Sequence, residues 1–340
     1  KKSSKRMSSQ ESTQNVVVGI DGGGTKTKLY MMSITDSKCI SSCSVGATNY
    51  HSVGKQQCEK TLRQGFDQLL DNSRRQVTIA GVCASMSGVD RPEDLTFIKN
   101  TITMIMEQLS SSKSAKSPLI LVENDAVAAL LSGVETISAQ LYGVVLISGT
   151  GMICIGFGEN SKRVRTGGWG PLLGQMGSGW SIGWSILQAV TQHADGVGES
   201  TALTEAVIKH LEVEKPGDLI GWAYKDLEWA RFAALSRLAG PLYGKDKVAT
   251  RILDDQVALL YQSLYVTIER CALPKTQPLE IVLAGGNFDH PQSVLYQLMK
   301  EKIEQSSIVK ERKVFVRLPK EKPERAAAIF VKMQLKQQKQ

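Results

Sequence analysis

The sequence has few aromatic residues, few histidines and no long apolar run. Aromatic residues make up 6% of the 340 positions, and four residues are histidine. No apolar run has the length of about 20 residues that a membrane-spanning helix requires. No basic stretch is interleaved with aromatic side chains, as single-strand nucleic-acid binders require. We therefore expect a protein that binds neither membranes nor nucleic acids.

The cysteines also lack a pattern. Six are present, without a Cys-x-x-Cys pair and without regular spacing, and the histidines are dispersed. This disfavours a disulfide framework or a zinc site and favours reduced thiols. The N-terminal residues show no apolar core of a secretory signal. We therefore expect a cytoplasmic protein.

The net charge of +8 is concentrated at the two ends of the chain, which we interpret as solvated termini. The remaining positive balance suits an anionic ligand such as a nucleotide. The apolar fraction of 42% and the charged fraction of 22% are those of an ordinary globular protein. The length favours two domains, and residues 1–14 are predicted to form a disordered tail.

Hydrophobic periodicity predicts alternating strands and helices, which is typical of mixed α/β sheets. The first helix places Leu62, Phe66, Leu69 and Leu70 on one face. Strands are predicted at residues 16–20, 28–33, 39–45, 78–85, 118–122, 143–147, 152–157 and 281–284. Helices are predicted at residues 52–72, 95–109, 217–238, 249–268 and 324–335, and another begins at residue 126.

A glycine-rich turn joins the first two predicted strands. Its residues are Asp21, Gly22, Gly23, Gly24, Thr25 and Lys26. Glycines tolerate a positive φ, and successive N–H groups in such a turn can bind an anion. A carboxylate such as that of Asp21 suits a hydrated divalent metal ion. The turn is not a P-loop, since it lacks the Gly-x-x-x-x-Gly-Lys spacing. Taken alone, the motif favours a plain hairpin turn over a phosphate site.

Two further glycine turns follow apolar strands. Residues 143–157 repeat the design of strand, turn and strand, with Ser148, Gly149, Thr150 and Gly151 in the turn. Ala284, Gly285 and Gly286 end another strand. Three such turns favour a nucleotide site more strongly than any one of them.

Taken in order, the motifs resemble those of the sugar kinase/actin/Hsp70 ATPase superfamily. Within it they are most similar to the N-acetylglucosamine kinases of the BadF/BadG/BcrA/BcrD-type ATPase group. Besides the three turns, the matching segments are residues 47–49, 85–89, 123–126, 167–174 and 177–179. The resemblance implies an α/β fold of two actin-like, ribonuclease H-like domains, each a mixed sheet flanked by helices, with an interdomain cleft. Residues 15–135 and a C-terminal helix at 323–337 form one domain, and residues 136–322 form the other.

The resemblance also implies ATP and Mg²⁺. Gly23, Gly24, Thr25 and Lys26 would hold the terminal phosphates, and Gly149, Thr150 and Gly151 would hold phosphates from the second domain. Asp21 would bind the metal ion through water. The turn formed by Ala284, Gly285 and Gly286 would leave room for adenosine.

Asp125 is the predicted catalytic base. It follows a strand and precedes a helix, so from the residues alone a helix N-cap is an equal interpretation. The resemblance favours a base that accepts the proton of a sugar hydroxyl. By the same resemblance the sugar would be bound by Asn49, Ser87, Gly88, Asn124, Gly168, Trp169, Gly170 and Gln175. Trp169 could stack on a sugar ring or pack in the core.

Among the positions that depart from the family pattern, Gln175 bears most directly on the sugar. Gln175 stands where family members usually carry an aspartate that binds sugar hydroxyls. A neutral amide makes a weaker hydrogen bond than a carboxylate does. We expect an ATP-dependent kinase acting on the 6-hydroxyl of N-acetyl-D-glucosamine or a close amino sugar. Gln175 leaves open a catalytically weak sugar or nucleotide sensor, and a homodimer stays open as the assembly.

Overall fold

The computed structural model describes residues 13–73, 76–109, 117–174 and 176–338, with the backbone alone at Ser161. Most of the predicted tail and Gln175 therefore lie outside the described residues. Within the described ranges, no helix is long and apolar enough to cross a membrane. The chain divides into two compact units. The first unit combines the chain up to Ala139 with the part from Glu321 onward, and the second is Gln140–Lys320.

The first unit contains a mixed five-stranded sheet. Its strands are β1 (Gln14–Gly22), β2 (Thr27–Ser33), β3 (Cys39–Val45), β4 (Val77–Met86) and β5 (Leu119–Asn124). Their order is β3-β2-β1-β4-β5, with antiparallel pairing from β3 to β1 and parallel pairing from β1 to β5. The helices are α1 (Tyr50–Val53), α2 (Lys55–Ser73), α3 (Pro92–Leu109), α4 (Asp125–Gly133) and α12 (Pro323–Gln337).

One face of this sheet is covered by α2 and α3. Of the predicted face of α2, Leu62, Phe66 and Leu69 are fully buried, whereas Leu70 is partly buried. A single helix was predicted at residues 52–72. Instead, Gly54, with φ of 81°, separates α1 from α2. A residue in that conformation cannot continue a right-handed helix, so two helices form.

The opposite face is covered by α12, which lies directly on the backbone of β1. A Cβ atom at Gly19 would lie 2.0 Å from the carbonyl oxygen of Glu324 and 2.4 Å from the amide nitrogen of Ala328. Ala327 and Ala328 on α12 are fully buried. This close approach requires glycine at position 19, because any side chain would push the helix away from the strand.

The second unit contains a sheet of the same design. Its strands are β6 (Gly143–Ser148), β7 (Met152–Phe157), β8 (Arg163–Gly167), β9 (Leu279–Ala284) and β10 (Val314–Arg317). Their order is β10-β9-β6-β7-β8, with β6, β7 and β8 antiparallel and β6, β9 and β10 parallel. The predicted repetition of a glycine-turn hairpin is thus present in both units, and the fold class is α/β with two mixed sheets flanked by helices.

Seven helices accompany the second sheet in the described part of the chain. They are α5 (Gly179–Ala194), α6 (Leu203–Leu211), α7 (Leu219–Lys225), α8 (Trp229–Ala234), α9 (Lys247–Cys271), α10 (Val294–Glu304) and α11 (Ser307–Glu311). The stretch at residues 217–238 is largely helical, as predicted, but it is not one continuous helix. That stretch is divided into short 3-10 turns, α7 and α8, and Asp226 adopts an extended conformation that ends α7.

We expect Gly19→Ala to destabilise the first unit by about 3 kcal/mol, at the upper end of the cost of overpacking. Hydrogen exchange of β1 peptides should measure this loss, with protected amides exchanging about 100-fold faster. Tryptophan fluorescence would miss it, because all five tryptophans belong to the second unit.

Gly46→Ala is the matched control, since the nearest atom to its added Cβ would be 3.9 Å away. It should leave the exchange rates of β1 unchanged. Parent-like protection of β1 in Gly19→Ala would show that α12 does not pack as tightly as described.

Candidate functional site

The turn between β1 and β2 is an exposed hairpin. Asp21 and Gly22 still pair with β2, and the Gly23 N–H donates to the Lys26 carbonyl at 3.0 Å. Gly24, Thr25 and Lys26 are exposed. The hairpin itself was predicted. The positive φ angles expected in it are absent, since none of Gly22, Gly23 and Gly24 adopts one.

Gly22 is instead required by packing, whereas an added Cβ at Gly24 would meet no atom of the described chain. A Cβ atom at Gly22 would lie 2.4 Å from the Met86 sulfur and 2.7 Å from the Thr48 hydroxyl oxygen. The Ser87 N–H donates to the Gly22 carbonyl at 2.7 Å, and the Thr48 N–H donates to the Gly23 carbonyl at 3.2 Å. The turn is therefore held in place by the loops that follow β3 and β4.

Asp21 lies in a region of concentrated negative charge. Burial raises its pKa to about 6, and the nearby carboxylates of Glu324 and Asp125 contribute to the rise, whereas the charges of Lys28 and Lys26 lower it. Glu324 is 6% exposed, and its Oε2 has no hydrogen-bond partner in the described part of the chain. This arrangement of carboxylates favours a bound cation.

Asp125 is the first residue of α4 and lies beside Ser87. Burial and the charge of Asp90 raise its pKa, while hydrogen bonds from Ser87 and from the Ala126 N–H lower it. The helix cap is not Asp125 but Asn124, whose Oδ1 accepts from the Ala126 N–H at 2.9 Å. A carboxyl group with a raised pKa is a better proton acceptor than an ordinary aspartate.

The loop after β4 holds Asn124 from the side. The Asn124 amide nitrogen donates to the Asp90 carboxylate at 2.8 Å and to the Val89 carbonyl at 3.3 Å. Gly88, with φ of 78°, lies against Asn49, and an added Cβ would be 2.6 Å from the Asn49 Oδ1. The structure thus brings together five residues predicted separately from sequence: Asn49, Ser87, Gly88, Asn124 and Asp125.

Sequence reasoning missed Asp90 and Asp94. The buried Asp94 accepts from the N–H groups of Asp90 at 3.1 Å and Arg91 at 2.9 Å, and from the Tyr50 hydroxyl. These bonds lower the pKa of Asp94. A carboxylate two residues after Pro92 is a helix-start signal that could have identified it. Asp94 fixes the loop that contacts Asn124.

In the second unit, two predicted nucleotide turns adjoin one another. The Gly149 N–H donates to the Gly151 carbonyl at 2.9 Å, and Thr150 is exposed. Gly285 has φ of 97°, and a Cβ there would lie 2.4 Å from the Ser148 carbonyl oxygen. Only glycine is tolerated at this position without strain. Gly286 lies in open space, without an atom of the described chain near its missing side chain.

The predicted sugar segment of this unit follows β8. Gly168 and Gly170 have φ of 74° and 85°, and Trp169 between them is 63% exposed. The Arg165 guanidinium lies 5.2 Å from the centre of the Trp169 ring. The alternative that Trp169 packs in the core is therefore wrong. Gln175, the remaining predicted sugar residue, lies outside the described residues.

Solved structures show the same fold. A putative N-acetylglucosamine kinase from Chromobacterium violaceum matches with a TM-score of 0.65 at 19% identity, over 94% of this chain and 99% of that one. An ROK hexokinase from Thermus thermophilus matches with a TM-score of 0.56 at 16% identity, over 95% of this chain and 99% of that one.

Sequence comparison identifies nearer relatives. The N-acetyl-D-glucosamine kinase of Dictyostelium discoideum is 35% identical over 303 residues, which cover 86% of this chain and 91% of that protein. The N-acetylmuramic acid/N-acetylglucosamine kinase of Clostridium acetobutylicum is 30% identical over 273 residues, covering 79% and 84%. The pattern of the BadF/BadG/BcrA/BcrD ATPase family matches residues 18–315, and the chain belongs to that family.

Proposed function

We propose that this protein is an ATP-dependent kinase that phosphorylates the 6-hydroxyl of N-acetyl-D-glucosamine or a close amino sugar. The observation that carries the proposal is the setting of Asp125, which has a raised pKa and lies beside Ser87 at the carboxyl end of the sheet. The 35% identity to an N-acetyl-D-glucosamine kinase supports the same substrate class.

Asp125 is the proposed base. Its carboxylate takes the proton from the sugar hydroxyl as that oxygen attacks the γ-phosphorus of ATP. The bond between the γ-phosphorus and the bridging oxygen breaks, and ADP leaves with the electron pair. The Ser87 hydrogen bond orients the carboxylate. Asn49, Gly88 and Asn124 are the proposed sugar contacts of the first unit.

The nucleotide is assigned to the glycine turns. Gly23, Gly24, Thr25 and Lys26 are proposed to hold the terminal phosphates, and the exposure of this turn and the lysine charge support this role. Gly149, Thr150 and Gly151 are proposed to hold phosphates from the second unit. Ala284, Gly285 and Gly286 are proposed to border the adenosine, since open space around Gly286 leaves room for it.

Mg²⁺ is the proposed metal ion, and the first unit fits it as a hydrated cation. Among the described residues, no three His, Cys, Asp or Glu side chains are grouped closely enough to ligate a metal directly. Asp21 would therefore bind it through water, with the buried Glu324 adding negative charge. When bound, Mg²⁺ neutralises phosphate charge during transfer.

The sugar contacts proposed for the second unit are Gly168, Trp169, Gly170 and Gln175. The exposed ring of Trp169 offers a flat apolar face to a pyranose. The sensor alternative is not favoured, because a buried Asp125 with a raised pKa suits proton transfer and the relatives are named as kinases. A cytoplasmic location is part of the proposal, supported by six free cysteines, of which four are buried.

Asp125→Asn should lower kcat for N-acetylglucosamine phosphorylation by about 10²- to 10⁴-fold, because the amide cannot accept the hydroxyl proton. Sugar affinity should change little. ADP release in the presence of Mg·ATP and the sugar measures kcat, and calorimetry measures affinity. Asp67→Asn, at an exposed carboxylate paired with Arg63, is the control and should retain parent activity. A kcat within tenfold of the parent in Asp125→Asn would remove Asp125 from the chemistry.

Asp21→Asn should stabilise the ligand-free first unit at pH 8 by about 3 kcal/mol. A carboxyl whose folded pKa is raised from 3.8 to about 6 destabilises the fold once it ionises, and a pKa difference of one between the folded and unfolded states corresponds to about 1.4 kcal/mol. The cost grows as the pH rises from about 4 to 6. Hydrogen exchange of β1 at pH 8 and at lower pH measures this.

The same variant should require a higher Mg²⁺ concentration for half-maximal activity, because the amide attracts the hydrated cation less strongly. The gain in stability should shrink towards pH 4, where the parent carboxyl is already protonated. A stability difference independent of pH would contradict the assigned charge effect.

A further inference from the structure

Asn287 lies one residue after the third glycine turn and joins several segments of the second unit. Its side-chain nitrogen donates to the Ser148 hydroxyl oxygen at 2.9 Å, and its Oδ1 accepts from the Ser236 hydroxyl at 3.1 Å. Its main-chain carbonyl accepts from the Ser293 hydroxyl at 2.7 Å. Both ends of the amide are therefore engaged, and the orientation of the side chain is fixed.

The hydrogen bonds continue in one direction from Asn287. Ser148, which is fully buried, accepts from the Asn287 amide and donates its own proton to the Gly177 carbonyl at 2.6 Å. A carboxylate at position 287 could not donate to Ser148, so this relay from Asn287 through Ser148 to Gly177 requires an amide. An aspartate at position 287 would have nearly the same shape. It would either accept the Ser148 proton, which would reverse the direction of the hydrogen bonds, or break the bond to Ser148.

Gly177 is held from its other side by α9. Its N–H donates to the Gln256 side-chain oxygen at 2.6 Å, and the Ser181 hydroxyl donates to the same oxygen at 2.7 Å. Gly177 has φ of 82°, and a Cβ there would lie 2.2 Å from the Leu260 Cγ. The position of Gly177 is therefore determined by its partners, and a change at Ser148 reaches it directly.

Main-chain bonds tie the same segments together. The Gly179 N–H donates to the Gly149 carbonyl at 2.7 Å, and the Trp180 N–H donates to the Thr150 carbonyl at 3.2 Å. The start of α5 is thus fastened to the turn proposed to hold phosphates. Gly177 precedes this helix and ends the stretch that begins with the proposed sugar segment at residues 168–170.

We propose that Asn287 is a positioning residue that couples nucleotide binding to sugar binding through Ser148 and Gly177. The inference rests on the proposed function, because it assigns the joined segments to ATP and to the sugar. Asn287 need not touch either ligand. It sets the position of the phosphate turn relative to the sugar segment within the second unit.

The expected coupling is positive and reciprocal. When one ligand immobilises its own segment, the relay immobilises the other, so the second ligand has less ordering entropy to lose. The factor by which the nucleotide strengthens sugar binding must equal the factor by which the sugar strengthens nucleotide binding.

The test measures this factor in the full chain by calorimetry. N-acetylglucosamine is titrated alone and with a saturating non-hydrolysable ATP analogue and Mg²⁺, and the analogue is titrated with and without the sugar. The parent should show a coupling factor of about ten in both directions. In Asn287→Asp the factor should fall below about two, while the affinity for each ligand alone changes by less than about threefold. A factor that stays near ten in Asn287→Asp overturns the proposal.

Ser293→Ala is the matched control, because it removes a bond to the main chain of Asn287 and leaves the side-chain relay intact. It should keep the parent coupling factor. An equal loss in Ser293→Ala and Asn287→Asp also overturns the proposal, because general loosening of the segment would then account for both.

If circular dichroism shows that Asn287→Asp does not fold, Ser148→Ala takes its place, since it removes the middle of the relay. The same loss of coupling is expected, and its absence overturns the proposal. Measurements on the parent protein distinguish failure of the proposed coupling from failure of the proposed function. A parent that phosphorylates the sugar with a coupling factor of one overturns the coupling alone, and a parent that neither binds nor phosphorylates it overturns both.

Discussion

The parallel register of β1, β4 and β5 is the constraint on which the first unit depends. Gly22 on β1 is opposite Met86 on β4, and Met86 is opposite Asn124 on β5. The three strands therefore end at one level, and the residues that follow them lie side by side. This is why the glycine turn, Ser87 and Asp125 meet although the sequence separates them widely. A slip of one residue in any strand would turn these groups to the other face.

The second unit has the same constraint, since the register of its parallel strands aligns the turns that follow them. Ile147 on β6 is opposite Ala284 on β9, so the proposed phosphate turn and the proposed adenosine turn also begin at one level. Gly285 fits there because its backbone lies close to Ser148, where an added Cβ would clash with the carbonyl group. The antiparallel partner of the central strand supplies a hairpin turn in both units, which explains why two stretches of similar sequence design are suited to related tasks.

Much of this could be predicted from the sequence, since buried strands read as continuous apolar runs and glycine turns mark their ends. The edge strands β8 and β10 were missed. Arg163–Gly167 carries no such run, and Val314–Arg317 has only three apolar residues and is partly exposed. Gly22 of the first turn was recognised for the wrong reason. Its requirement comes from Met86 and Thr48, which only the folded chain brings near it.

The site residues were predictable to the extent that they follow strands. Asn124 and Asp125 are adjacent, and the sequence alone could not decide which of them caps the helix. The decision depends on the loop containing Asp90, because its bond to the Asn124 amide fixes that side chain with Oδ1 towards the Ala126 N–H. Asn124 is thus the cap of α4, and the carboxylate of Asp125 lies beside Ser87 instead.

The two units differ in the interactions around their glycine turns. Charged groups dominate in the first unit, and neutral hydrogen bonds dominate in the second. In the first unit, Asp21 and Asp125 interact through charge, so the protonation of one affects the other. In the second unit, the relay through Asn287, Ser148 and Gly177 consists of amide and hydroxyl groups that do not titrate near neutral pH. Changes in the protonation of Asp21 and Asp125 therefore leave this relay chemically unchanged. The proposed nucleotide turns of the second unit can thus keep their geometry while the charge of the first unit varies.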